Sequence, residues 1–208
     1  MASSPAAFIT PEQYLELDRK AERPSEYYQG EMFPVESATR AHSLIVTNVA
    51  GMLGTLLKHR PCEVYSSTLR LRVAGTGLYT YPDVMVACGE PLFADDQADT
   101  LLNPVLIAEV LSKSTQDYDR GQKFQLYRTV ASVMEYLAIA QEKVFIEYWL
   151  RQSDHRWLLT EFDNLSASIR LDSIGVDVSI AEIYDKVMFA ANPESPNRLN
   201  SNNSDPNS

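Results

Sequence analysis

The 208-residue sequence predicts an α/β (α+β) domain in which one mixed sheet is flanked by two long helices. Three observations carry that reading. Residues 39–59 repeat apolar side chains at helical spacing, and after Pro61 the pattern switches to a period of two. Two short apolar runs, each with one carboxylate in or beside it, then follow Pro82 and Pro104, as buried strands do. An apolar content of 45% with 22% charged residues is that of a globular chain. No apolar run approaches the ~18–20 residues that span a bilayer, so no membrane association is expected.

Each element has a local cause. Thr10-Pro11-Glu12-Gln13 opens a first short helix: Thr10 caps, Pro11 suits the first helical position and Gln13 completes a capping box. Glu26-Tyr-Tyr-Gln-Gly-Glu-Met-Phe33 reads as two short strands turning at Gln29-Gly30. In the long helix Ile45, Val49, Met52 and Leu56 form a stripe that Leu53 and Leu57 widen. From Val64 to Val73, Leu69, Leu71 and Val73 face one way, Arg70 and Arg72 the other. Asp83–Ala87 and Val105–Leu111 are the buried strands, and an acidic loop, Glu90 to Asp99, lies between them. Ser114-Thr-Gln-Asp117 is a capping-box sequence and predicts a second long helix to about Val130. Strands over 134–140, 143–150, 156–162 and 169–171 follow, with a small helix over 179–184.

The domain is expected over residues 1–189. Residues 190–208 carry six Asn, four Ser and three Pro with Leu199 as the one large aliphatic, a composition that predicts a disordered tail. The N-terminus lacks a basic segment followed by an apolar one, so no secretory signal is expected. Cys62 and Cys88 show neither metal spacing nor a bridge framework, which suits a reducing, cytoplasmic setting.

No glycine-rich phosphate loop, His-Glu-x-x-His, Cys-x-x-Cys or Gly-x-Ser-x-Gly elbow occurs. With three histidines, a site would have to be built from carboxylates. Asp83 and Glu109 stand out because each sits in or beside a buried apolar strand, where a carboxylate is costly unless paired or bound to a metal. Either alone is compatible with an ion pair to a nearby Arg or Lys. Together with Lys123 they make a carboxylate–carboxylate–lysine set that suits Mg²⁺, with Mn²⁺ as a substitute. A lysine there can orient an attacking water and stabilise developing charge, although pairing with Asp119 at i, i+4 also accounts for it.

Tyr81-Pro-Asp-Val84, Asn103-Pro-Val-Leu-Ile-Ala-Glu-Val-Leu-Ser112 and Ser114-Thr-Gln-Asp-Tyr-Asp-Arg-Gly-Gln-Lys123, followed by Tyr127, resemble the Uma-type restriction endonucleases. These are a bacterial branch of the PD-(D/E)XK nuclease superfamily. The resemblance also takes in Glu26-Tyr-Tyr-Gln-Gly-Glu31, His42 and Glu135-Tyr136, and so covers roughly residues 8–188. It implies a restriction-endonuclease-like fold, a mixed sheet flanked by helices with a metal site at one end. Asp83 is then the Pro-Asp carboxylate and Glu109 the acid of the (D/E)-x-K element. The position two after Glu109 is Leu111, so Lys123 stands for a lysine moved to the following helix. The Val110 carbonyl becomes a further metal ligand, and Glu26, His42 and Asp119 are accessory. Ser112 and Ser114 shape the loop and helix cap.

The implied activity is Mg²⁺-dependent hydrolysis of DNA phosphodiester bonds, with a homodimer suited to cutting both strands. A non-catalytic nuclease-fold protein that binds nucleic acid or a protein partner is the alternative, followed by a small-molecule phosphodiesterase. The net charge of −10 predicts weak, salt-sensitive DNA binding, offset locally by Lys58, Arg60, Arg70 and Arg72 against Glu63.

Overall fold

A computed structural model describes residues 8–112 and 118–189, the side chains of 118–120 excepted. The expected helix cap at 114–117 and the expected tail, 190–208, lie outside the described residues. Chain order begins with α1 (Pro11–Asp18), β1 (Ser25–Tyr28), β2 (Glu31–Pro34) and α2 (Arg40–Leu56). Next come β3 (Cys62–Ser66), β4 (Arg70–Val73), β5 (Leu78–Thr80), β6 (Val84–Cys88), β7 (Thr100–Leu101) and β8 (Leu106–Leu111). A π-helical turn, Tyr118–Lys123, runs into α3 (Phe124–Tyr127). The chain continues through β9 (Glu135–Ala140), β10 (Ile146–Arg151), β11 (Trp157–Phe162), β12 (Ser168–Leu171), β13 (Val176–Ser179) and α4 (Ile180–Ile183).

The mixed α+β class holds, but the strands form more than one sheet. A six-stranded mixed sheet has the order β11-β10-β9-β8-β6-β3, with β8 and β9 parallel. A five-stranded sheet has the order β2-β1-β5-β4-β7, and β12-β13 form a hairpin. The six-stranded sheet is the middle layer. Val84, Val86, Leu106, Ala108, Leu137 and Ile139 face α2, α4 and the β12-β13 hairpin. The alternate residues Met85, Ile107, Leu111, Tyr136 and Ala138 pack with Leu71, Val73, Leu78 and Leu101 of the five-stranded sheet and with α3. Two covered faces explain why β6 and β8 read as continuous apolar runs.

Local signals act as chemistry requires. Gln13 N–H donates to Thr10 Oγ1 at 3.3 Å and Thr10 N–H to Gln13 Oε1 at 2.9 Å, the complete capping box. The hairpin turns with φ of 50° at Gln29 and 91° at Gly30. A Cβ on Gly30 would also meet the Phe8 ring at 2.2 Å.

Four expectations need correction. The alternation from Val64 to Val73 is not one strand: the chain turns at Ser67-Thr68, so β3 joins the middle sheet and β4 the other. Arg70 consequently points inward and is 4% exposed, and Arg60 donates to the Ile174 and Gly175 carbonyls. Two of the four cations of the anticipated basic patch, Arg60 and Arg70, are therefore committed to internal bonds. The second long helix is shorter than expected: α3 ends at Tyr127, the chain continues in i→i+3 turns to Val130, and Arg151 takes up the carbonyls of Arg128 and Ala131. Finally, Cys62 and Cys88 are directly opposed in β3 and β6 and form a disulfide, a pairing set by strand register that sequence spacing does not display. Among the described residues no helix is long and apolar enough to cross a membrane.

Candidate active site

The antiparallel register of β6 and β8 pairs Val84 with Ala108. One step further it sets Asp83 opposite Glu109, so the 26-residue spacing becomes adjacency, with both side chains on one face. The strand ends are locked together: Val110 N–H donates to Asp83 Oδ2 at 2.7 Å, and Asp83 N–H lies 3.4 Å from Glu109 Oε2. Ser67 N–H holds the Asp83 carbonyl at 3.1 Å.

Three other elements deliver their groups to the same place. Lys123 ends the π-helical turn, and its Nζ lies 2.9 Å from Glu26 Oε1 and 3.6 Å from Glu109 Oε1. Glu26 arrives on β1 and accepts a bond from Thr80 of β5. His42 sits in the first turn of α2, where its backbone N–H is bonded to the capping Thr39 Oγ1, and its Nε2 lies 3.1 Å from Asp83 Oδ2. Asp83, Glu109, Lys123, Glu26, His42 and Val110 all line one cavity of about 640 Å³. The sixth side chain named from the sequence, Asp119, lies outside the described side chains.

Tyr127 completes the arrangement in a role the sequence reading did not assign. The motif that carries the resemblance includes it without a role, and its buried hydroxyl donates to Glu109 Oε1 at 2.6 Å and lies 3.5 Å from Thr80 Oγ1. Burial, followed by the charges of Glu109 and Glu26, holds its pKa well above the ordinary phenol value. It therefore stays a proton donor to Glu109. The signal that could have found it is its spacing from Lys123, since i, i+4 places both on one side of a helical turn. Thr80 had a weaker one, its position three residues before Asp83 in Tyr79-Thr-Tyr-Pro82.

The donor set is of hard oxygens. Among the described residues no group of three or more His, Cys, Asp or Glu is placed to hold a metal by itself. Mg²⁺ does not demand one, since one or two carboxylates with waters and substrate phosphate complete its shell. Both side-chain contacts of Asp83 use Oδ2, and among the described residues Oδ1 accepts no hydrogen bond. The set thus fits a divalent cation at Asp83 and Glu109.

Comparison with known proteins gives the family and the fold. Residues 11–181 match the Uma2 family, described as "Putative restriction endonuclease". The chain is 37% identical to the uncharacterized protein sll1609 of Synechocystis sp. (strain ATCC 27184 / PCC 6803 / Kazusa) over 169 residues, 81% of this chain and 96% of that one. It is 31% identical to slr1290, an uncharacterized protein of the same organism, over 187 residues, 90% and 97% of the two chains. A solved structure of a putative nuclease of DUF820 from Anabaena variabilis ATCC 29413 superposes with a TM-score of 0.70 at 18% identity. That match covers 86% of this chain and 99% of the other, and it shows a shared nuclease-like fold. With the family match spanning most of the chain, the protein belongs to the Uma2 family.

Proposed function

We propose that the protein is a Mg²⁺-dependent endonuclease that hydrolyses DNA phosphodiester bonds. The observation that carries this reading is the convergence of Asp83 and Glu109 with Lys123, whose Nζ is 3.6 Å from Glu109, in one cavity. Asp83 and Glu109 hold the cation, with the Val110 carbonyl as the further ligand. Bound Mg²⁺, for which Mn²⁺ substitutes, supplies polarisation of the scissile phosphate and charge to offset the developing oxyanion. Lys123 orients the attacking water and stabilises negative charge on the phosphoryl oxygens. Glu26 and Tyr127 act behind it: Glu26 fixes the lysine from the far side, and Tyr127 fixes the Glu109 carboxylate. His42 restrains Asp83 from the start of α2.

The test is incubation of the purified protein with plasmid, linear duplex and single-stranded DNA, with and without Mg²⁺ or Mn²⁺. Cleavage by the wild type and its loss by a factor of about 10³ or more in Asp83→Ala are expected. No cleavage with either metal, or an Asp83→Ala protein that cuts like the wild type, sinks the proposal.

One observation favours a second reading, a nuclease-fold protein that binds without cutting: the charges of this cluster are already mutually paired. Mn²⁺ binding separates the two. A Mn²⁺ signal that disappears in both Asp83→Ala and Glu109→Ala supports the enzyme, and an absent signal in the wild type supports the binding protein.

A further inference from the structure

The hairpin that brings Glu26 to the cavity brings a second chemistry with it. Its register sets Glu26 directly opposite Phe33, and directly opposed residues present their side chains on one face. Tyr28, two residues beyond Glu26, shares that face, and all three line the cavity. The alternate residues Tyr27 and Met32 turn the other way, into the cluster with Tyr14 and Tyr79. Ring centroids there lie 5.0 Å (Tyr14–Tyr27), 5.2 Å (Tyr14–Tyr79) and 5.9 Å (Tyr27–Tyr79) apart. The hairpin is therefore two-sided. One face is anchored in an aromatic core, and the other presents a carboxylate, already bonded to Lys123, between two aromatic side chains.

That second face is only partly used for packing: Tyr28 rests against the core beneath the five-stranded sheet, whereas Phe33 is largely exposed. Phe33 is 46% exposed and Val35 38% exposed, and Pro34, Val35 and Ala38 extend the apolar wall along the cavity. Asp83, Glu109 and Lys123 line the same cavity. An occupant that satisfies both sides offers a phosphodiester to the charged side and a flat, apolar surface to the aromatic one. A nucleotide with an unstacked base does so. In a duplex the same base is held in the stack and must first be extruded. A volume of about 640 Å³ has room for a nucleotide or two.

We infer that the substrate is an unpaired stretch of DNA (a single strand, overhang or flap), with a base seated against Phe33 and Tyr28 while its phosphate lies at Asp83, Glu109 and Lys123. The inference rests on the hydrolase reading above and deepens it. Phe33 is a specificity-determining residue. Because base–aromatic stacking tolerates any base, the site selects strandedness and not sequence.

The test is fluorescence anisotropy with a short labelled oligonucleotide, single-stranded and as its blunt duplex, in Ca²⁺, with cleavage of both followed separately in Mg²⁺. The wild type is expected to bind the single strand about tenfold more tightly than the duplex. Phe33→Ala is expected to remove about tenfold of single-strand affinity, leave duplex binding unchanged and be rescued by Phe33→Trp. Phe33 is largely exposed, so its truncation takes little from the core. Equal affinity for the two forms, or Phe33→Ala binding the single strand like the wild type, overturns the inference. Single-strand binding that depends on Phe33 but leads to no cleavage upholds the stacking wall and defeats the hydrolase reading. Cleavage that ignores both strandedness and Phe33 does the reverse.

Discussion

Two buried ionic clusters among the described residues are built differently. In the first, Arg70 Nη2 binds Asp18 Oδ2 at 2.7 Å, its Nε binds the Tyr81 hydroxyl at 3.1 Å and its Nη1 binds Thr100 Oγ1 at 2.8 Å. Asp18 is satisfied in turn by Ser25 N–H and Tyr81, and Tyr14 and Tyr81 lie beneath the guanidinium. In the second, Lys123 lies between Glu26 and Glu109 and opens onto the cavity. The planar fork of an arginine matches several fixed acceptors at once, whereas the compact ammonium of a lysine can turn toward a newcomer. The Arg70 cluster is thus a joint that ties α1 to the five-stranded sheet. The Lys123 cluster is a place where a substrate can enter.

That contrast can be broken by exchanging the cations for apolar residues of similar length. Lys123→Met is expected to lower cleavage by about 10²–10⁴ and to cost less stability than the loss of Arg70, because Glu26 is the more open of its two carboxylates and Tyr127 still donates to Glu109. Arg70→Met is expected to cost about 3–5 kcal/mol of stability, since Asp18 is left buried and unpaired, while the folded fraction keeps its turnover. Parallel urea titrations and cleavage assays decide this. An Arg70→Met protein that loses activity without losing stability would erase the distinction.

The disulfide touches both clusters, because the segment between Cys62 and Cys88 carries Arg70 and Asp83 alike. Closing a loop of 26 residues' separation is expected to contribute about 2–4 kcal/mol. The urea midpoint should therefore fall in dithiothreitol and in Cys62→Ser/Cys88→Ser, and an unchanged midpoint in both would show the bridge to be silent.

Alkaline pH acts through phenols in both clusters and beyond them. Burial raises Tyr127 and Tyr14 above the usual phenol value and pushes Tyr184 up to about 12. Their folded pKa values exceed the unfolded ones, so this contribution is fully present below about pH 10 and declines as pH rises through the folded values. Tyr184 alone accounts for on the order of 2 kcal/mol between about pH 10 and 12. Urea unfolding at stepped pH should show a falling midpoint across that window, and a flat profile would contradict the burial of these hydroxyls.

The smallest expected effect sharpens the comparison within the Lys123 cluster. Tyr127→Phe removes one donor from Glu109 and leaves Lys123 in place, so a loss of about 1–2 kcal/mol in stability and roughly tenfold in kcat is expected. A Mn²⁺ affinity weakened in step with kcat would mark Tyr127 as a positioning residue. An unchanged affinity would assign the loss to packing alone.

Much of this was legible in advance because it is written over short distances. Thr10 and Gln13 close a capping box by themselves, Gln29-Gly30 permits the hairpin turn, and a carboxylate within Leu106–Leu111 is anomalous in any fold. The same locality misled at Arg70. Alternation placed it opposite Leu69 and Leu71, but Leu71 and Arg70 are both buried, because the second face of β4 meets α1 and not solvent. The extent of the second helix was equally unreadable. Its end is set by Arg151, which lies 23 residues beyond Arg128 in the chain and adjacent to it in space.

The sequence by itself determined the secondary elements with strong caps or stripes, the buried β6 and β8 strands, and the identity of Asp83, Glu109 and Lys123 as groups that need an explanation. Backbone dihedral preference and side-chain periodicity act over a few residues, and those features require nothing more. Only the tertiary structure decided that Glu26 and His42 reach the same cavity, that Cys62 meets Cys88, that Tyr127 holds Glu109, and that Phe33 stands across from Glu26. Each of these depends on the register of one strand against another or on which layer covers which face. Register is fixed by the simultaneous burial of residues far apart in the chain, and no local pattern carries it.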